Sequence, residues 1–307
     1  MRRRWYNLVF IGFASAALFL SACSGNSNKK ISDDIEIPEE IFGDDKPLLI
    51  SQEAMEDIID NISSPVEMAA LLKSTGVPFS QKLLASTNRI DKLNTNFKQA
   101  LNLGVYGCDL GYLNMYEKTG SVINNMTAIK SLANELRIGQ FFDFNTIKRL
   151  ATNNENLDSL MYISVSSFNN MDEYLRQANR GNISSLIVTG MWVEGMYLAT
   201  QVAKGAPEKE VVERIADQKL VLNDLILILK NYKSDANFAD LVKEIERIKK
   251  AYDGVRITYE MGEPEAKEVD GMLIIVQNDK QHIDISDETL ANIITVIEDV
   301  RNNIISL

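Results

Sequence analysis

Two acidic side chains, Asp109 and Glu194, stand in stretches of the chain whose residue types could do chemistry. Each acid is followed by a tyrosine three residues later, and each stretch has an aromatic residue two positions after a glycine. Paired carboxylates can share acid and base work, and phenol and indole groups can donate hydrogen bonds to them. The candidate ligand site or buried polar site therefore comprises Tyr106, Asp109, Tyr112, Trp192, Glu194 and Tyr197.

Both acids are expected to be buried, because the segments that carry them have the composition of central helices. Residues 183–203 contain a single charge, Glu194. A membrane span is disfavoured there, since an acid at its centre would be costly in lipid. We expect two related helical hairpins whose glycine-bearing helices meet in the middle. In the first of these helices, small residues recur at helical spacing and allow close approach: Gly104, Gly107 or Cys108, and Gly111.

A buried carboxylate must be hydrogen-bonded, paired or protonated. Arg149 or Arg176 is the candidate cation for the two acids. Two interpretations stay open, a polar network that fixes the register of the helices or a pocket for a ligand. The network is favoured, because no substrate-binding signature accompanies the acids.

The chain carries no further catalytic or metal motif. It lacks a phosphate-binding glycine loop, a Gly-x-Ser-x-Gly elbow, a His-Glu-x-x-His sequence and a Cys-x-x-Cys sequence. The one histidine, His282, has Asp284 nearby but no second histidine or cysteine, so we expect it on an exposed strand rather than in a metal site. The sequence therefore predicts no cofactor and no metal, and it favours a protein that is not an enzyme.

Helical periodicity from Leu48 onward predicts an all-α multi-helix bundle. No proline occurs between Phe79 and Ala206, which is typical of long helices. Apolar stripes mark three later helices, two of which begin near Pro207 and Ser286. One segment departs from the pattern, because an apolar run at 272–276 is followed by alternation at 282–285. We expect a small β-hairpin near 272–285 that lies against the bundle.

The first 22 residues predict a signal peptide. Three arginines precede an apolar run from Leu8 to Leu20, which is shorter than the roughly 20 residues of a transmembrane helix. The sequence Leu20-Ser21-Ala22-Cys23 resembles the lipobox of bacterial lipoproteins. That resemblance implies cleavage before Cys23 and lipidation of this cysteine, palmitate included. Ser24 follows, where inner-membrane retention typically has aspartate, so the outer membrane is favoured.

Removal of residues 1–22 leaves a mature chain of 285 residues with 29 basic and 43 acidic side chains. This negative balance disfavours nucleic acid and anionic lipid as partners. Residues 23–47 are polar and acidic, so we expect a lipidated flexible tether before a helical domain at 48–307. Cys108 is then the one thiol left, and the fold must be stable without an internal disulfide.

The mature part resembles the uncharacterised all-helical envelope lipoproteins of Gram-negative bacteria, a group that implies no catalytic residue. We therefore predict a lipoprotein anchored in the outer membrane, on its periplasmic face rather than the cell surface. It would act as a non-catalytic binding or assembly component, with another envelope protein as partner. The alternative is a small-ligand receptor or hydrolase whose site lies between the helices that carry Asp109 and Glu194.

Overall fold

Helices dominate the part of the chain that the structure, a computed structural model, describes: residues 65–151, 157–262, 265–269, 272–276, 278 and 280–306. The predicted signal peptide, Cys23 and the tether lie outside these residues. Within them the all-α multi-helix fold with a small β element is confirmed. The helices are α1 (Pro65–Ser74), α2 (Asn96–Met115), α3 (Thr119–Glu135), α4 (Phe144–Ala151), α5 (Leu157–Gln177), α6 (Gly181–Gly205), α7 (Lys209–Lys230), α8 (Ala236–Ala251) and α9 (Asp287–Ser306).

The two glycine-bearing helices, α2 and α6, cross at the centre with their backbones in contact. A Cβ added to Gly104 would overlap the carbonyl oxygen of Ile187, and one added to Gly190 would overlap that of Leu101. Farther along, Cys108 lies opposite Gly195. Residue numbers rise together on both sides of the contact, so the two helices run parallel. The predicted meeting of the glycine helices is confirmed.

The other helices pack around this central pair. Helix α3 packs on α2 and α7 packs on α6, which gives the two predicted helical hairpins. Helix α9 contacts both α6 and α8, and α8 packs on α7. One hydrophobic cluster runs through these elements, so the apolar stripes of the sequence share a common core.

Three helices end without glycine or proline. Glu117, Arg137 and Asn179 follow α2, α3 and α5 with left-handed φ angles of 59°, 56° and 56°. After each, the next amide donates back to a carbonyl five residues earlier, as in the bond of 2.9 Å from Lys118 to Leu113. This motif satisfies the last carbonyls of a helix, and it explains how the chain turns repeatedly between Phe79 and Ala206 without a proline.

Side-chain caps set several helix starts. The Ser286 hydroxyl accepts from the Thr289 amide at 3.1 Å, so the predicted start of the last helix is confirmed. The Asp235 carboxylate caps α8 in the same way through the Asn237 amide at 2.8 Å. Helix α7 begins at Lys209, two residues beyond Pro207.

Four short strands form two antiparallel ladders in the described residues: β1 (Arg256–Glu260), β2 (Glu265–Val269), β3 (Met272–Val276) and β4 (Lys280–Asp284). A small β element near 272–285 is confirmed, but the pairing of 272–276 with 282–285 is wrong. Strand β3 pairs with β2, and β4 pairs with β1. The sequence between β2 and β3 is Asp-Gly, a strong signal for a two-residue hairpin loop. Strand β2 was missed because it lacks an alternating apolar pattern.

The β1–β4 ladder lies against α7, as expected for a pair of strands that is marginal alone. Ile257 of β1 is buried in the core. The Gln281 amide donates to Asp217 at 2.6 Å, and the Lys219 ammonium donates to the Val255 carbonyl at 2.8 Å. Tyr259, the register partner of Gln281, is exposed, and so is Met261 just beyond β1.

Helix α6 is enclosed by the protein. Nineteen of its side-chain positions are buried, which agrees with the predicted central helix. Across the residues that the structure describes, no helix combines the length and the apolar character needed to cross a membrane.

The glycine crossing gives a direct test of the packing. We expect Gly104→Ala to lower the free energy of unfolding by about 3 kcal/mol, because its methyl group would push α6 away. The matched control is Gly107→Ala, whose Cβ would lie 4.0 Å from the Met191 sulfur. This control should be neutral or stabilising by up to about 1 kcal/mol, because alanine is the better helix former. Urea unfolding of both variants measures the difference, and equal losses would contradict the crossing.

Candidate functional site

Asp109 and Glu194 lie about one helical turn beyond the glycine crossing, on α2 and α6. Both side chains are completely buried. Because the two helices run parallel and almost touch, the acids lie close together, and burial, followed by the charge on Glu194, raises the pKa of Asp109. The structure thus brings together the two acids on which the sequence interpretation rests.

The cation of this cluster is Arg301 of α9, which is 4 % exposed. Its guanidinium donates two hydrogen bonds of 2.8 Å, one to each carboxylate oxygen of Glu194. A third bond of 3.1 Å runs to the carbonyl of Leu83. The Tyr197 ring lies 4.3 Å from the guanidinium carbon, in cation–π range. Arg301 is therefore held from three sides.

The prediction that Arg149 or Arg176 is the cation is wrong, because both arginines lie away from Asp109 and Glu194. Arg176 binds Asp172 within α5, with its Nε 2.6 Å from the carboxylate. Arg149 is exposed on α4. A sequence signal for Arg301 does exist, since it falls on the apolar face of α9 marked by Ile294, Ile297 and Ile304. An arginine on the buried face of a helix requires an acid inside the protein.

Asp109 is held in a different way. One carboxyl oxygen accepts from the Ala85 amide at 2.9 Å, and the other has no donor. Burial raises the pKa of Asp109 well above its usual range, and the charge of Glu194 raises it further, against the opposing effects of the Ala85 amide and Arg301. We infer that Asp109 is protonated, because the proton turns its second oxygen into a donor toward Glu194.

Two tyrosines of the candidate site, Tyr106 and Tyr112, bind the backbone of one irregular segment. This cover segment, residues 77–93, contains two short 3-10 helices, Gln81–Leu83 and Thr87–Lys92. The Tyr106 hydroxyl donates to the Ser86 carbonyl at 3.0 Å, and the Tyr112 hydroxyl accepts from the Ser80 amide at 3.3 Å. Burial raises the pKa of Tyr106 to about 12, so its phenol remains a donor at neutral pH.

Trp192 does not join the cluster. Its indole N–H donates to the buried amide oxygen of Gln218 on α7, at 2.9 Å. The aromatic residues that follow Gly104 and Gly190 therefore serve different neighbours, although their spacing in the sequence is the same. Tyr106 faces the cover segment and Trp192 faces α7, because different elements pack beside α2 and α6 at these two positions.

Other reactive side chains in the described part of the chain form no second site of this kind. Cys108 is a buried free thiol, and burial, followed by the charge of Glu194, raises its pKa well above the usual value. His282 lies exposed on β4, with its Nε2 3.3 Å from Glu260. Within the described residues, no three histidine, cysteine or acidic side chains converge on a point that could hold a metal ion.

The polar side chains of the cluster are bound to other parts of the protein. Arg301 and Asp109 bind the cover segment at Leu83 and Ala85, and Tyr106 binds it at Ser86. Since both acids have no exposed surface, a substrate cannot reach them without displacement of this segment. The arrangement fixes helix register and holds an irregular stretch of backbone that has no strand partner.

Loss of the Arg301 guanidinium should destabilise the fold far more than replacement of the Asp109 carboxyl by a neutral amide. We expect Arg301→Met to lower the free energy of unfolding by about 3 to 5 kcal/mol, because it leaves Glu194 buried without a counter-charge. Asp109→Asn should change it by less than about 1 kcal/mol at pH 5, since the amide accepts from Ala85 and donates toward Glu194.

Arg247→Met is the control for loss of an arginine, because Arg247 pairs with Glu244 at the surface. It should cost less than about 1 kcal/mol. Thermal and urea unfolding report all three variants. A small loss for Arg301→Met would contradict the network.

The raised pKa of Asp109 predicts how stability changes with pH. The folded protein keeps this proton, whereas the unfolded chain releases it near pH 4. The stability contribution is therefore complete below about pH 4, and it is lost as pH rises toward the folded pKa, by up to about 1.4 kcal/mol per pH unit. The Asp109→Asn variant lacks this pH-dependent contribution. Its free energy of unfolding, relative to that of the wild type, should therefore increase from pH 4 to pH 8. Parallel pH profiles would show that Asp109 is ionised in the fold.

Comparison of this chain with protein-family models, with curated proteins and with solved structures finds no match.

Proposed function

We propose that this protein is a lipoprotein anchored in the outer membrane that acts as a non-catalytic binding or assembly component of the cell envelope. The anchor is the lipid on Cys23, and the helical domain stands on the periplasmic face. The acidic mature chain makes another protein a better partner than nucleic acid or anionic lipid.

One observation carries the non-catalytic part of this proposal. The paired acids, which are the best candidates for chemistry in the sequence, have no exposed surface and are bound to Arg301 and to the Ala85 amide. Catalytic carboxylates need access to a substrate and a proton to exchange with it. This geometry counts against the receptor or hydrolase alternative between α2 and α6.

The β strands supply a surface for a partner. Met261 is 76 % exposed, and Tyr259, two residues earlier on β1, is 45 % exposed. Large apolar side chains exposed together mark protein interaction sites. We assign to this surface an envelope protein that buries Met261 and Tyr259 in an apolar contact.

The test is purification of the tagged lipoprotein from its own envelope in mild detergent, with mass spectrometry of the bound proteins. We expect a stoichiometric partner with the wild type and its loss with Tyr259→Ser combined with Met261→Ser. The matched control is Tyr162→Ser, because Tyr162 on α5 is 75 % exposed but lies on another element. This control should retain the partner.

The same preparation reports the anchor, since the wild type should carry acyl chains on its N-terminal cysteine and a Cys23→Ala variant should carry none. A clean monomer from the native envelope would contradict the assembly function. A partner that survives the double substitution would contradict the assigned surface alone.

A further inference from the structure

A cavity of about 270 Å³ lies on the side of the cover segment that faces α3. The cover segment forms one wall, α3 forms the opposite wall, and Leu113 of α2 contributes from below. The volume is close to the lower end of small-molecule pockets, which is about 300 Å³. It therefore suits a ligand smaller than a typical cofactor.

The lining of this cavity is polar but has no formal charge. Among the described residues that line it there is no lysine, arginine, aspartate or glutamate, and no aromatic ring. An anion or an ammonium group would find no counter-charge among the lining residues, and a flat base would find no ring to stack on. Its amide and hydroxyl side chains include Gln81, Ser86, Asn88, Ser121, Asn124 and Asn125.

Asn125 gives a second and independent indication of a ligand. It is 4 % exposed, it lines the cavity, and its Oδ1 has no hydrogen-bond partner. A buried amide oxygen without a donor is unfavourable. The Oδ1 is buried, and because the terminal torsion of asparagine is broad, rotation of the amide is what would bring it toward the cavity. A hydroxyl group of a ligand would supply the missing donor.

We propose that this cavity binds a neutral polyhydroxylated molecule, a saccharide of one or two rings. Amides and hydroxyls both donate and accept, which complements the hydroxyl groups of a sugar, and Leu84 offers apolar surface to its C–H face. This binding activity is separate from the proposed assembly function and does not depend on it.

The buried network keeps this site in shape. Asp109 holds the Ala85 amide and Tyr106 holds the Ser86 carbonyl, and Ala85 and Ser86 both line the cavity. The cover segment is therefore fixed from beneath before a ligand arrives. A wall that is already ordered lowers the entropic cost of binding.

The experiment is saturation-transfer NMR with titration on the full mature lipoprotein in a detergent that has no sugar headgroup. The probes are glucose, N-acetylglucosamine and maltose, with glucose 6-phosphate as the charged competitor. We expect at least one neutral sugar to bind with a millimolar or lower Kd, and glucose 6-phosphate to bind at least about 10-fold more weakly than glucose.

Two variants test the assigned residues. Asn125→Ala should weaken the sugar that binds by about 10-fold, and Ser121→Leu should abolish binding because it fills the cavity. The matched control is Asn231→Ala, which also removes a buried amide whose Oδ1 has no partner but which lies at the end of α7. This control should bind as the wild type does.

Three results would overturn the proposal. They are the absence of saturation transfer from every neutral probe, unchanged binding by a folded Asn125→Ala or Ser121→Leu variant, and equal binding of glucose and glucose 6-phosphate.

Discussion

The close crossing of α2 and α6 is the constraint on which the rest of the structure depends. Gly104 and Gly190 each lie against the opposite backbone, so neither position has room for a side chain. Helices normally pack 8 to 10 Å apart because their side chains keep the axes separate. Here the absence of a Cβ at two positions brings the axes closer, and the acids one turn farther along are forced into the same buried region.

The close crossing buries two carboxylates together, and other elements of the fold compensate for their charge. Two carboxylates in one buried volume cannot both keep their charge without compensation. Arg301 neutralises Glu194 from α9, and burial together with the charge of Glu194 raises the pKa of Asp109, which favours its neutral form. The cover segment benefits from this solution, because its carbonyl at Leu83 and its amide at Ala85 find partners that no strand or helix provides. The same set of contacts therefore stabilises the buried acids and orders the cover segment.

The division of polar groups bears on function. Charged and titratable groups lie beneath the cover segment, where the fold uses them, whereas neutral amides and hydroxyls lie above it around the cavity. The charged groups are thus buried in the core, and the cavity wall presents neutral hydrogen-bonding groups. The proposed sugar site would use such a surface for recognition, separately from the proposed partner surface at Met261 and Tyr259.

The sequence by itself determined the helical class, the central place of α6, the glycine contact and the burial of Asp109 and Glu194. These features follow from local periodicity and from the energetic cost of glycine and of isolated charges in a helix. Only the tertiary structure decided that Arg301 is the cation, that Trp192 turns to Gln218, and that β3 pairs with β2. Glu194 and Arg301 are far apart in the chain, and the spacing of residues within one helix carries no information about which distant helix packs on it. Long-range partners are selected by the packing of whole elements, so they become known only when every helix has its place.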